Sequence, residues 1–183
     1  MTERDRTMTD LAELTTLAVL TAAPRQPDQI HELLIETDRD FLGEGPEALR
    51  RAATDLVDAG LAQILEEGGE PGTTVFAITD SGSVEVRRRV AELLKTPTAN
   101  ATLTYAAISF ISLLPSEEAV GALRQRSCAL LERIDELEEY LNAAEADYQL
   151  VIEADFELER VSTEEKWCRR IANRVEIGEL GWA

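Results

Sequence analysis

Residues 45–82 constrain the fold more than any other stretch: GPEALRRAATDLVDAGLAQILEEGGEPGTTVFAITDSG. Pro46 suits the first position of a helix, where a missing N–H costs nothing. Leu49, Ala53, Leu56 and Val57 then recur at three- and four-residue spacing, one apolar helical face. Gly60 stands where a left-handed cap closes such a helix. Leu61, Ile64 and Leu65 begin an extended run. Glu66 to Gly72, rich in Gly, Glu and Pro, continues neither strand nor helix. Residues 73–79 are β-branched or aromatic and suit a returning strand. Thr79 or Ser81 can cap the next helix, with Glu85 biasing its first turns. The order helix, hairpin, helix is the closing half of a winged helix-turn-helix. A two-stranded hairpin is marginal alone, so Val75 and Ile78 are expected to pack on neighbouring helices.

The 183 residues suffice for one or two domains with a core. With 36 acidic residues and 18 Lys or Arg, the formal charge is −18. Divided at Pro97, ten basic and nineteen acidic residues precede and eight and seventeen follow, so no segment is a basic tail. A nucleic-acid binder usually shows a basic face, and an anionic membrane would repel this chain. No apolar run reaches the roughly 18–20 residues of a membrane span, and the charged start MTERDRTMTD lacks a signal-peptide core. A cytoplasmic protein is expected. Cys128 and Cys168 fall in predicted helices and read as reduced, packed thiols, with one interhelical disulfide as the alternative. One histidine, His31, and no Cys or His cluster leave no metal centre, and no cofactor is expected. Without a Gly-rich phosphate loop or a nucleophile elbow, no catalytic residue is assigned and no enzyme is expected.

Upstream of the block, residues 1–10 read as a loose charged lead. A first helix starts at Asp10, with Leu11, Leu14, Leu17, Ala18 and Val19 inward. Pro27-Asp28 opens a second helix with Ile30, Leu33 and Leu34 inward. Phe41 and Leu42 are expected to tuck against the core. A fourth helix covers residues 81–94, and Pro97 with Asn100 marks a hinge. Residues 101–113 form an apolar helix containing Leu103, Tyr105, Ile108, Phe110 and Ile111. From Ser116 onward, Val120, Leu123, Ser127, Leu130, Ile134, Leu137, Leu141 and Ala144 form a heptad seam of coiled-coil type. A turn is expected near residues 142–147, though one long bent helix fits the same pattern. The last helix carries Val151, Ala154, Leu158, Val161, Trp167, Cys168, Ile171 and Val175 inward and ends before Gly178. Such an amphipathic pair needs a partner surface. A homodimer is the simplest outcome; an intramolecular helical hairpin is the plainer alternative. The chain is thus expected to be mainly α, with a winged helix-turn-helix domain over 1–97 and a C-terminal helical dimerisation and effector region over 98–183.

Taken together, these segments resemble the PadR family of bacterial transcriptional regulators. LAELTTLAVLTAAP is similar to that family's opening helix, and ALRRAATDLVDAGLAQI to its third helix and first wing strand. VFAITDSG resembles the end of the wing, FISLLPSEEAV the start of the C-terminal helices, and Lys166-Trp167 the tryptophan site of the last helix. The order of these segments over nearly the whole chain carries the resemblance. Departures are Pro27-Asp28 where the family has a glycine-tyrosine pair, Arg50-Arg51 where it has tyrosine-proline, and a wing reading EEGGEPGTT.

The resemblance implies a dimeric repressor on a pseudo-palindromic double-stranded operator. The third helix enters the major groove, the wing touches the backbone or minor groove, and the C-terminal helices form the dimer. In some members a small planar or phenolic effector binds between those helices and the winged domain. Arg50 and Arg51 then face DNA, since arginine reads guanine and grips phosphate; alternatively they form a solvated face paired with nearby Glu47, Thr54 or Asp55. Glu47 and Thr54 share that face, Arg25 reaches phosphate before the second helix, and Thr73 and Thr74 offer hydroxyls from the wing. Trp167, with Phe110, Tyr105 and Phe156, is the effector-site candidate; packing is the plainer role for such aromatics. A second functional reading is a winged-helix protein that no longer binds DNA and engages a protein partner through its acidic surface.

Overall fold

The computed structural model describes residues 3–39, 45–70, 72–98, 100–143 and 151–182. Its element order is α1 (Glu3–Leu20), α2 (Pro27–Glu36), α3 (Pro46–Asp58), β1 (Ala62–Glu66), β2 (Val75–Ile78), α4 (Asp80–Lys95), α5 (Ala101–Ser109), α6 (Ser116–Ala143) and α7 (Ile152–Glu176), with a 3-10 turn at Ile111–Leu113. The protein is mainly α with a two-stranded wing. Two compact units interleave along the chain: Met1–Val90 with Asn100–Leu113, and Ala91–Ala99 with Leu114–Ala183. The division read from the sequence is a single cut after residue 97.

In the first unit, α1 packs on α2, α3, β2 and α5, and α2 packs on α3. Leu11, Leu14, Leu17, Ala18 and Val19 are buried, as the spacing predicts, together with Ile30, Leu34, Leu49, Ala53 and Leu56. The helix α1 starts at Glu3, earlier than Asp10, because nothing between them is a glycine or proline that would stop it. Pro27 and Pro46 both occupy the opening turn of their helices. At the end of α3 the Leu61 N–H donates to the Leu56 carbonyl (2.8 Å) and the Gly60 N–H to that of Val57 (2.9 Å), the paired bonds of a Schellman closure.

The strands pair antiparallel, with Ala62 opposite Ile78 and Ile64 opposite Phe76. A bulge between Ile64 and Glu66 leaves Leu65 extra. Arg25 bridges the other side of Phe76 through two backbone bonds of 3.0 Å, so β2 lies between two neighbours. Its buried residues are Phe76 and Ala77; Val75 and Ile78, expected to pack on neighbouring helices, are half-buried. Five residues on the bulged β1 leave Ile64 and Leu65 exposed.

Thr79 joins wing to helix. Its N–H donates to the Leu61 carbonyl (3.1 Å) and its hydroxyl to that of Gly60 (2.9 Å), while its Oγ1 accepts from the Gly82 N–H (3.0 Å). Gly82 is buried, and a methyl there would collide with the Leu61 carbonyl oxygen and approach Ile78 Cγ1 to 2.8 Å. Backbone is the obstacle, so repacking cannot relieve it. Gly82→Ala is expected to cost about 2 kcal/mol or more, in the range of overpacked cores. A lowered urea midpoint at unchanged slope is the check.

The apolar helix predicted over 101–113 stops at Ser109 and turns through Phe110. Asn100 caps it by accepting from the Thr102 N–H (3.0 Å). Ala106, Ala107 and Phe110 are buried, whereas Tyr105 is exposed.

The second unit is built on α6 against α7. The two helices form a hairpin within the chain: Ser127 meets Glu165 and Arg126 meets Glu164. Of the predicted seam, Val120, Leu123, Ser127, Leu130 and Leu137 are buried; Ala144 and most of the predicted turn lie outside the described residues, as do Phe41 and Leu42. On α7 the buried set is Val161, Glu165, Cys168, Ala172 and Val175. Trp167 and Ile171, expected inward, sit half-buried beside that stripe. Ser127 Oγ donates to Glu165 Oε1 at 2.9 Å, a polar pair inside an apolar seam, the kind of pair that fixes helix register.

Arg126 is 2% exposed. Its Nε donates to Glu164 Oε1 (2.6 Å), and its Nη1 reaches the carbonyls of Leu93 (3.1 Å), Leu94 (3.3 Å) and Thr96 (2.8 Å). One guanidinium thus satisfies the free carbonyls at the end of α4, where a cation is favoured. Arg126→Ala strands both the carbonyls and the carboxylate. Removing one partner of a buried pair costs about 3–5 kcal/mol. Urea unfolding should show a loss near the lower end, and hydrogen exchange at residues 93–97 should quicken.

Candidate nucleic-acid interface

The outward side of α3 carries Glu47, Arg50, Arg51, Thr54, Asp55 and Asp58, none of them buried. Arg50 is engaged within the protein. Its Nε and Nη2 donate to Asp28 Oδ1 at 3.1 and 2.8 Å, Nη2 also reaches Asp28 Oδ2 at 3.0 Å, and Nη1 donates to Glu47 Oε2 at 3.1 Å. The pair is partly open to solvent, with the two side chains 30% and 43% exposed. Hydrogen bonding to Asp28 holds the guanidinium above its already high ordinary range. Of the two readings for Arg50, the structure shows pairing, but with Asp28 of α2 as well as Glu47 of its own helix. Arg51 is exposed and pairs with no described residue.

The wing closes over this pair. Gly72 has φ +88°, and a Cβ there would lie 2.7 Å from Asp28 Oδ2 and 3.0 Å from Arg50 Nε. Only a residue without a side chain brings backbone so near in that conformation. Asp28 and Gly72 are the members of the site that sequence reasoning missed. Asp28 opens α2 just after Pro27, a position that reads as a helix start, and nothing local points to a partner 22 residues away.

The remaining predicted contacts mostly use their hydroxyls or backbone within the protein, although Thr54 and Thr73 are exposed. Thr54 Oγ1 donates to the Arg50 carbonyl (3.1 Å). Thr73 Oγ1 donates to the Glu70 carbonyl (2.7 Å), closing the wing turn, and Thr74 Oγ1 accepts from the Gly68 N–H (3.4 Å). Arg25 is held by its backbone against Phe76, with its Nε buried and unpartnered among the described residues. Exposed Glu66, Glu67 and Glu70 make the wing acidic. On α4, Glu85 binds both Arg88 and Arg89, and Arg89 also binds Glu13 (2.7 Å). Hydrogen bonds from Arg88, then Arg89, draw the Glu85 carboxyl down to about 2.

The effector candidates divide between the units. Exposed Tyr105 and buried Phe110 belong to the first; exposed Phe156 and half-buried Trp167 belong to the second. In the second unit a cavity of about 450 Å³ lies between α6 and α7, lined by residues that include Arg133, Leu137, Tyr140, Val151 and Glu157; none of the four aromatics lines it. Trp182, which the sequence reading passed over, donates its indole N–H to the Leu114 carbonyl (2.9 Å). Among the described residues no cluster suits a metal ion, and no helix is long and apolar enough to cross a membrane.

Cys128 is exposed and Cys168 buried. Burial pushes the Cys168 thiol up to about 11. Since the thiolate is the reactive form, a disulfide reagent at pH 8 should label one thiol promptly in the native protein. The second should react only after unfolding.

No family model matches the chain, and no curated protein matches it. Among solved structures it is similar to Bacillus subtilis PadR in complex with operator DNA (17% identity, covering 89% of this chain and 98% of that one, TM-score 0.37). It is also similar to the same protein with p-coumaric acid (16%, 91% and 99%, TM-score 0.37) and alone (18%, 92% and 96%, TM-score 0.37). These neighbours bear the name of the family that the sequence segments resemble. At that TM-score the likeness carries no argument, and the winged-helix assignment stands on the chain's own elements.

Proposed function

We propose that the chain is a DNA-binding transcriptional regulator of the PadR type, a repressor acting in the cytoplasm as a homodimer on a pseudo-palindromic operator. The observation that carries this reading is α3 itself: a helix set by α2 beneath an adjoining wing, with exposed Arg51 on its outer side. In this reading residues 1–97 hold the DNA-binding elements and residues 98–183 the dimerisation and effector region. The α3 helices of two subunits enter successive major grooves, and the wing lies near the backbone. Exposed Leu131, Ile152 and Phe156 on α6 and α7 support self-association. Half-buried Trp167 remains the candidate contact for a planar or phenolic effector.

A second reading keeps the fold and drops the DNA: a winged-helix protein that engages a protein partner through its acidic surface. The neutralised Arg50 and the three wing glutamates favour it. Acidic groups oppose phosphate, but at a surface each costs about 1 kcal/mol or less and salt screens it.

Titrating the purified protein against duplexes from its own upstream region at several salt concentrations separates the two. The regulator should show nanomolar-range specific binding, as is usual for such proteins. Arg51→Ala should weaken it and flatten the salt slope by about one phosphate contact. No binding at any salt would sink this function, and a monomer mass at micromolar concentration would sink the dimer.

A further inference from the structure

A guanidinium carries five N–H donors, and the fork that grips a phosphate or the O6/N7 edge of guanine is the one that grips a carboxylate. In Arg50 the Nε/Nη2 edge of that fork is filled by Asp28 and Nη1 by Glu47. Three observations mark the Asp28 contact as built. It is bidentate and joins α2 to α3 across 22 residues of sequence. The wing backbone at Gly72 is seated against it in a left-handed conformation that favours glycine, so that a Cβ there would press on the ends of both side chains. The neighbouring Arg51 stands exposed with no described partner, so the two adjacent arginines are in opposite states.

We infer that Asp28 is an internal competitor for nucleic acid, holding Arg50 in a carboxylate grip so that α3 engages DNA through Arg51 until that grip is released. The inference rests on the DNA-binding reading above. Its physical content is an exchange. A phosphate that takes Arg50 from Asp28 replaces one charge-assisted bidentate pair by another and leaves a carboxylate facing the polyanion. A phosphate that meets an Arg50 freed of Asp28 gains the Nε/Nη2 edge outright, with Glu47 still on Nη1.

Asp28→Asn removes the charge at nearly constant shape, and Asp28→Ser is a smaller second choice at a helix start. Each is tested in the full-length chain, with normal and Gln-substituted Arg50, against the same duplexes over a salt series. Circular dichroism and thermal melting select whichever replacement keeps the fold. Releasing Arg50 should tighten binding about tenfold at low salt and steepen the salt slope by about 0.9, one more neutralised phosphate. The gain should vanish when Arg50→Gln is added, so that the double variant binds no tighter than Arg50→Gln alone. A folded Asp28 variant that binds no tighter than the parent overturns the competitor and leaves the DNA function standing. So does a gain that persists without Arg50, which would reflect only the loss of a negative charge. If no protein in the set binds at any salt, the function itself falls, and the competitor with it.

Discussion

Three backbone segments meet at Thr79, and the first unit depends on how they are joined. The end of α3 presents the carbonyl of Gly60, β1 follows immediately from Leu61, and α4 begins one residue after β2 closes. Thr79 uses its N–H on Leu61, donates its hydroxyl to Gly60 and accepts from Gly82. Each bond satisfies a group that secondary structure would leave open at an element's end. Because Gly82 has no side chain, α4 can start against the Leu61 carbonyl. The wing therefore has both roots fixed to helices and escapes the marginal stability of a free hairpin. That anchoring allows Gly72, at the far end of the same hairpin, to be delivered onto the Asp28–Arg50 pair.

The charge distribution then acquires a local meaning. Between Arg25 and Thr79 the sequence holds twelve acidic and four basic residues. Excess acid usually speaks of solubility and of repulsion from polyanions. Two of these carboxylates, Asp28 and Glu47, are internal ligands of Arg50, and outside the stretch Glu13 and Glu85 serve Arg89 in the same way. Arginines that a linear reading assigns to solvent or to DNA are consumed as cross-links between helices. The only run of three arginines, residues 87–89, is partly spent this way, with Arg88 and Arg89 both bound to Glu85. The same economy governs the second unit. Arg126 lies next to a predicted core position, and it is bound to Glu164, to two backbone carbonyls of α4 and to that of Thr96 just beyond the helix.

What was legible in the sequence was local. Pro46, Gly60 and the capping candidates Thr79 and Ser81 are conformational signals that act within a few residues, and they mark α3, its end and the start of α4. The apolar periods of α1, α3 and α6 named buried residues because a helix face is a short-range property. Features that depend on distant partners were hidden. Nothing in α2 announces that Asp28 meets Arg50, and nothing around Arg126 announces the carbonyls of residues 93–96. The instability of a lone hairpin pointed to Val75 and Ile78 as the packed residues of β2; they are half-buried, and the buried pair is Phe76 and Ala77, where β2 has a neighbour on each side of Phe76. On α7 a reading by hydrophobicity took Trp167 and Ile171 for the stripe and skipped Glu165. The strict seven-residue spacing through Val151, Leu158, Glu165 and Ala172 would have included that glutamate, had a charged residue been admitted to a core position.

That glutamate and Asp28 illustrate opposite uses of a carboxylate. Glu165 lies inside the α6–α7 seam, where Ser127 supplies the hydrogen bond that burial demands. Any shift of one helix along the other would take it from Ser127 and leave it only Arg169 of its own helix. Its cost enforces one register, and it has no reason to exchange partners. Asp28 holds Arg50 at a site that remains open to water. Both members stay solvated on one side, so breaking the pair leaves neither of them buried and unpaired. An ion pair of that kind contributes modestly to stability and is correspondingly easy to exchange. Position in the fold thus separates a bond that fixes structure from one that another anion can compete for. Under the proposed function, the second kind stands on the face of α3 that meets DNA.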